Sequence, residues 1–159
     1  MRFRVGQGFD AHALVPGRRL VLAGVELGGS LGLLGHSDAD VVVHAAIDAL
    51  LGASAQGDIG EMFPDGDARY QGADSMQLLA VALERVRSCG WQLANIDCTV
   101  IAQQPKIAPF VDAMRRSLAD ALALELSAVS IKAKTTERLG FTGRGEGIAA
   151  LVVVALQAE

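Results

Sequence analysis

Asp10-Ala11-His12, then His36-Ser37-Asp38-Ala39-Asp40, then His44 together hold all three histidines of this chain. On an extended strand, side chains at i and i+2 point the same way, so Asp10 and His12 can address one point. His44, on a following helix, would bring a second imidazole. One carboxylate and two imidazoles make the donor set of a catalytic zinc centre that keeps one coordination position open. A closed structural zinc site would usually recruit cysteine, and Cys89 and Cys98 have no ligand spacing. A lone Asp-x-His is common and most often ordinary. The confinement of every histidine to residues 12–44 is what makes this one informative.

Two further segments carry polar chemistry. Residues 132–147 read Lys-Ala-Lys-Thr-Thr-Glu-Arg-Leu-Gly-Phe-Thr-Gly-Arg-Gly-Glu-Gly. Hydroxyls and free amides there suit phosphate oxygens, and Glu137 is an oxygen ligand of the kind Mg²⁺ shares with substrate phosphates. Taken alone, the segment is more simply a polar hairpin with glycines for its turns. Ala102-Gln103-Gln104-Pro105-Lys106 sits where a strand ends before a helix, a place where amides and Lys106 can meet phosphate or nucleotide.

The elements that must position these groups follow from periodicity. Phe3 to Phe9 alternates into Asp10 and predicts a strand. Arg19 to Leu27 predicts one or two short strands, broken by Gly28-Gly29 and Gly32. Asp38 or Asp40 can cap a helix running from Val41 to about Ala55. Gly57 to Asp67 is a polar, turn-rich loop, and loops that long are often functional. Asp74 or Ser75 caps a second helix with Leu78, Leu79, Ala82 and Val86 on one face; Gly90 ends it. Trp91 to Ala102 predicts a strand. Ile107 or Pro109 opens a third helix through Val111, Met114, Leu118 and Leu122. Val129 to Lys134 and Ile148 to Ala158 complete the strands.

This order predicts a single α+β domain over residues 1–159: a mixed β-sheet with helices packed on one face, a ferredoxin-like sandwich. Hydrophobic residues make up 51% but aromatics only 4%, so the core must be aliphatic. The net charge of -4 and the lack of a basic run argue against nucleic acid as partner. No signal-peptide pattern opens the chain, and the longest apolar run is too short to span a bilayer as a helix. The expected setting is the cytoplasm, with no membrane partner and with Cys89 and Cys98 as free buried thiols. The last strand is apolar on both faces, which a sheet covered on one side does not require. That points to an oligomer in which sheets from several subunits pack together.

The motifs Gly8-Phe9-Asp10-x-His12, Gly35-His36-Ser37-Asp38-x-Asp40 with His44, Gly57-Asp58-Ile59-Gly60-x-x-Phe63-Pro64-Asp65, Ala102-Gln103-x-Pro105-Lys106 and Lys134-Thr135-Thr136-Glu137-x-Leu139-Gly140-Phe141 with Arg144 stand in this order. In these five segments, and along essentially its whole length, the chain resembles the 2-C-methyl-D-erythritol 2,4-cyclodiphosphate synthase family. The resemblance implies a lyase of non-mevalonate isoprenoid biosynthesis. It would convert 4-diphosphocytidyl-2-C-methyl-D-erythritol 2-phosphate to the cyclic diphosphate and CMP. It implies a homotrimer with sheets around the threefold axis and active sites between subunits. Asp10, His12 and His44 would hold Zn²⁺ or another divalent metal, and Glu137 would help hold Mg²⁺ or Mn²⁺ on the substrate diphosphate. His36 and Thr135 would stabilise the transition state. The substrate would also meet Ala11, Ser37, Asp58, Ile59, Gly60, Phe63, Pro64, Asp65, Gly66 and Asp67. The cytidine pocket would be Ala102, Gln103, Gln104, Pro105, Lys106, Ile107 and Ala108, largely by backbone atoms. Lys134, Thr135, Thr136 and Glu137 would approach the cytidine diphosphate, Lys134 by its backbone, with Phe141 and Arg144 completing the set.

The chemistry suits these residues. An intramolecular attack of one phosphate on another needs positioning and charge neutralisation, not a protein nucleophile. Two other classes are compatible with parts of the pattern: a metal-dependent phosphohydrolase, and a non-catalytic trimeric nucleotide-binding regulator. His44 on a helix would also admit Asp48 or Asp40, one turn away, as the group that orients its ring.

Overall fold

The structure is a computed structural model and describes residues 2–158. Strands β1 (Phe3–Pro16), β4 (Leu31–Leu33), β5 (Trp91–Ile101), β6 (Val129–Lys134) and β7 (Gly147–Ala158) form one sheet in the order β4-β1-β7-β5-β6. Strands β2 (Val21–Leu22) and β3 (Val25–Glu26) make a separate small hairpin. β7 lies antiparallel to both β1 and β5, while β5 and β6 are parallel. Helices α1 (Val41–Ser54), α3 (Ser75–Ser88) and α4 (Val111–Leu122) pack on one face. The mixed α+β layering is therefore as the sequence predicts.

The ferredoxin-like order is not what forms. That motif runs β-α-β-β-α-β. Here α4 links β5 to β6 as parallel neighbours, and the last strand returns to the middle of the sheet. β7 is the most apolar strand, and the central position pairs both of its edges.

One face of β7 is closed completely: Ile148, Ala150, Val152, Val154 and Leu156 are inaccessible to solvent against the helices. On the other face Leu151 and Ala155 are half-buried and Val153 is exposed. The neighbouring side chains of β1 on that open face are Phe3, Val5 and Phe9, exposed by 71%, 61% and 53%.

The helical layer approaches β1 unusually closely, and glycine is the reason. A Cβ at Gly6 would lie 2.0 Å from the Ala49 carbonyl oxygen, and one at Gly8 would lie 1.8 Å from that of Ala45. Small residues on both sides let α1 settle onto the strand. α1 is itself buried almost all round; His44 and Asp48 are its partly exposed polar side chains. Asp40 caps it: its Oδ1 accepts from the Val43 and Ala23 amides and its Oδ2 from the Gly24 amide, pinning the β2–β3 hairpin to the helix.

Other departures are local. β1 continues past Asp10 to Pro16, because His12 and Ala13 pair with Ile148 and Gly147 and the strand then pairs with β4. The segments read as loops contain short helical turns, α2 (Ile59–Met62) and α5 (Gly140–Gly143). A 3-10 turn, Ala108–Phe110, precedes α4. Cys98 is buried and its thiol is pushed up to about 12 by burial. Cys89, expected to be buried, is exposed at the end of α3 where the chain turns outward. Among the described residues no helix is long and apolar enough to cross a membrane.

Candidate active site

Alternation along β1 points Gly6, Gly8, Asp10 and His12 toward the helices. His44 stands in the first turns of α1, opposite the glycines that admit the helix. The three side chains meet. Asp10 Oδ2 lies 2.7 Å from His12 Nε2 and 3.2 Å from His44 Nδ1, and the two imidazole nitrogens are 3.1 Å apart. Among the described residues, this is the one group of three or more such side chains whose donor atoms converge closely enough to hold a metal ion.

The donor set fits a divalent metal. Ligand bonds to a tetrahedral zinc ion place donor atoms roughly 3.3 Å apart, near the separations found. The outer nitrogen of His12, Nδ1, lies 3.0 Å from the Leu34 carbonyl oxygen, which can only accept. Nδ1 must carry the hydrogen, which leaves the Nε2 lone pair facing inward. Burial pushes the Asp10 carboxyl up, but inward-facing protons on the His12 and His44 rings, through hydrogen bonds and charge, outweigh it and hold it at about 2, and a metal ion would take the place of those protons. Burial lowers the His12 imidazole, and the adjacent Asp10 carboxylate with the Leu34 carbonyl more than reverses that. A carboxylate kept ionised beside two imidazoles is prepared for a cation.

The orientation of His44 differs from expectation. Asp40 spends its oxygens on backbone amides, and Asp48 Oδ1 accepts from the Ile59 amide at 2.8 Å. Instead His44 Nε2 lies 2.9 Å from Ser75 Oγ and 3.0 Å from Ser37 Oγ. Asp48 thereby acquires another task, anchoring the loop that carries Ile59 and Gly60.

A cleft of about 290 Å³ opens over these ligands, lined by Asp10, His12, Gly35, His36, Ser37, His44, Ile59, Gly60, Phe63, Asp65, Tyr70 and Leu78. Arg18 holds the His36–Ser37 turn in place by donating to the Ser37 carbonyl oxygen at 2.8 Å. Asp58 caps α2 through the Glu61 amide, and Asp67 pairs with Arg69. Pro64 and Gly66 are exposed on the same loop. Phe63 packs edge-on against Tyr70, their ring centres 5.2 Å apart. Sequence reasoning does not place Tyr70, Leu78, Arg18 or Ser75 in the site; Ser75 signals only a helix cap and Leu78 only an apolar helix face.

The second half of the expected site forms elsewhere. None of Ala102 to Ala108 and none of Lys134 to Arg144 lines this cleft. They cluster where the parallel strands β5 and β6 end together. The Ala102 amide donates to the Lys134 carbonyl oxygen at 3.0 Å. The Arg138 amide donates to Gln103 Oε1. Thr135 Oγ1 donates to Glu137 Oε1 at 3.3 Å, and Thr136 bonds Thr142. Glu137 and Arg138 both adopt left-handed backbone (φ +53° and +67°), a strained turn that projects their side chains outward. Lys106, Thr135, Glu137, Phe141 and Arg144 are exposed, with Arg144 paired to Glu146.

Comparison with known proteins bears on both halves. The YgbB family profile matches residues 3–157. The 2-C-methyl-D-erythritol 2,4-cyclodiphosphate synthase of Azoarcus sp. (strain BH72) is 58% identical over 154 residues, 97% of this chain and 95% of that one. The bifunctional IspDF from Campylobacter jejuni superposes with a TM-score of 0.96 at 46% identity; it covers 99% of this chain, which spans 43% of the fused protein. The Plasmodium falciparum IspF complex with CDP superposes at 0.87 with 31% identity, covering 99% and 97%. With Asp10, His12 and His44 converging from β1 and α1, its paired strand ends at β5 and β6 and a profile match across nearly its whole length, the chain belongs to the YgbB family, among the 2-C-methyl-D-erythritol 2,4-cyclodiphosphate synthases.

Proposed function

We propose that this chain, as a single domain over residues 1–159, converts 4-diphosphocytidyl-2-C-methyl-D-erythritol 2-phosphate to 2-C-methyl-D-erythritol 2,4-cyclodiphosphate and CMP. The observation that carries the reading is the convergence of Asp10, His12 and His44 under a cleft lined by His36, Ser37, Ile59, Gly60 and Asp65. An oxygen of the 2-phosphate attacks the β-phosphorus of the same molecule. A new P–O–P linkage forms, the P–O bond to CMP breaks, and CMP leaves with the electron pair. Attacker and target are both anionic, so the barrier is repulsion and misalignment. A zinc ion held by Asp10, His12 and His44, with Mg²⁺ or Mn²⁺ held through Glu137, would supply charge neutralisation and polarise phosphoryl oxygens.

The chain's own groups do the rest. Asp58, Ile59 and Gly60, braced by Asp48, hold the erythritol hydroxyls, with Phe63 to Asp67 alongside. His36, on the turn braced by Arg18, and Thr135 donate to the phosphoryl oxygens as charge builds in the transition state. Ala102 to Ala108 read cytosine by backbone groups, and Lys134 to Glu137, Phe141 and Arg144 receive the diphosphate. The two clusters sit apart in one chain, and the open sheet face carries Phe3, Val5, Phe9 and Val153. Both features support a homotrimer in which the open faces meet around a threefold axis and each active site joins the metal cleft of one subunit to the cytidine segments of its neighbour. Two free thiols and a phosphorylated substrate support a cytoplasmic setting.

Phosphorus NMR of the product from the diphosphocytidyl substrate tests the reading. A cyclic diphosphate with stoichiometric CMP is expected. Inorganic phosphate would instead mark a phosphohydrolase, and nucleotide binding without turnover would mark a regulator.

A further inference from the structure

We propose that Asp38 and Ser75 are positioning residues: they fix which nitrogen of His44 carries the proton, and so turn the Nδ1 lone pair toward Asp10 and His12. The inference rests on the reading of those three side chains as metal ligands.

Ser75 is fully buried at the first position of α3. Its amide donates to Asp38 Oδ2 at 3.1 Å, and its hydroxyl donates to Asp38 Oδ1. A hydroxyl has a single hydrogen. With that hydrogen committed to a carboxylate, Ser75 Oγ can only accept from His44 Nε2, 2.9 Å away. A neutral imidazole is a donor at one nitrogen and an acceptor at the other. A neutral His44 that donates from Nε2 keeps its lone pair on Nδ1, aimed at the point where Asp10 Oδ2 and His12 Nε2 converge; without a cation Asp10 Oδ2, 3.2 Å away, draws the hydrogen toward Nδ1, and the Asp38–Ser75 pair biases it back toward Nε2. The direction of the chain originates at Asp38, the member that has no hydrogen to give.

Two neighbours do not supply that direction. Ser37 Oγ lies 3.0 Å from His44 Nε2, but it is a hydroxyl that already accepts from the Ala39 amide and also faces Ser75 Oγ at 3.4 Å. It can donate or accept. Nor is helix capping the reason for Ser75, because Asp74 is the cap and accepts from the Met76 amide at 2.9 Å. A buried hydroxyl one residue inside the helix, tied at both ends, is what a ligand-orienting group requires. Asp38 also belongs to the turn that presents His36 and Ser37, so one carboxylate ties the metal ligand to the substrate-facing turn.

The test uses the full-length protein with ¹⁵N-labelled histidine. In metal-free wild type, at a pH where the imidazoles are neutral, nitrogen NMR should show a larger share of His44 protonated at Nε2 than in either single variant. Asp38→Ala frees the Ser75 hydrogen to donate to Nε2, and the imidazole proton should move to Nδ1. Ser75→Ala, which removes one buried hydroxyl, should leave a mixture of both forms. Zinc affinity, read by competition with a chromophoric chelator, should fall by about tenfold in Ser75→Ala and by up to about a hundredfold in Asp38→Ala. The double variant should return to the Ser75→Ala level, because the misdirected donor is gone. Wild-type protonation and wild-type zinc affinity in both single variants would overturn the proposal. So would zinc affinity that falls only in step with thermal stability while protonation at Nε2 is unchanged. Neither readout involves substrate, so failure of the synthase reading would leave this result intact, and the converse holds.

Discussion

At the scale of single residues, the site is built by committing each buried polar group to defined partners. Asp40 shows the cost. Complete burial pushes its carboxyl from an ordinary 3.8 up to about 6, against the three amides that pull it down. The folded protein therefore binds a proton between roughly pH 4 and pH 6 that the unfolded chain does not. The ionised group is a liability above that window, about 3 kcal/mol by the size of the shift, and acidification relieves it. Asp40→Asn should destabilise by about 1–3 kcal/mol at pH 7, since an amide cannot accept from both Gly24 and Ala23. Chemical denaturation at a series of pH values should show that gap widening as pH falls from 7 toward 4.5. Glu137 makes a different prediction. Its carboxylate is exposed and accepts a hydrogen bond from Thr135, so Glu137→Gln should leave zinc bound and stability unaltered. Turnover should drop by about tenfold or more, with a higher Mg²⁺ requirement; a Mg²⁺ titration of the rate, alongside metal analysis, checks both.

At the scale of elements, the decisive contact is between β1 and α1. His44 reaches Asp10 and His12 because Gly6 and Gly8 let the helix backbone lie against the strand. Gly8→Ala puts a methyl group 1.8 Å from the Ala45 carbonyl oxygen, and backbone cannot rotate out of the way. The helix must lift. The expected loss is about 3 kcal/mol or more, and zinc affinity should fall further than in variants of equal instability made far from the site. Thermal unfolding and chelator competition on the same sample measure the two effects.

At the scale of the whole molecule, one face of the sheet is finished and the other is not. Val153 lies on β7 opposite Gln7 and Asp97, in the middle of the open face that Phe3, Val5 and Phe9 extend. Val153→Asp would place a second carboxylate beside Asp97. In a free subunit the half-open position should limit the cost, repulsion from the neighbouring Asp97 included, to about 1 kcal/mol. In a trimer it buries like charges around the axis. Sedimentation should therefore show smaller species, with activity lost in proportion; an active monomer would contradict both the assembly and the shared site.

By itself the sequence determined the chemistry of the site and most of the elements. A two-residue spacing on an alternating strand is enough to aim Asp10 and His12 together, because side-chain direction on a strand is a local property. Capping residues and apolar periodicity placed α1, α3 and α4 for the same reason. Tertiary structure decided what local rules do not encode. The position of β7 between β1 and β5 is a choice among strand partners, made by burial of both its edges, and it replaces the ferredoxin-like order. Spacing along the helix points to Asp40 or Asp48 as the group behind His44, because those are its neighbours one turn away. The structure places Ser37 and Ser75 there instead, and Ser75, 31 residues away, is brought in by the packing of α3 on α1. That contact depends on how two helices pack, and helix packing is settled by the shape of the whole core.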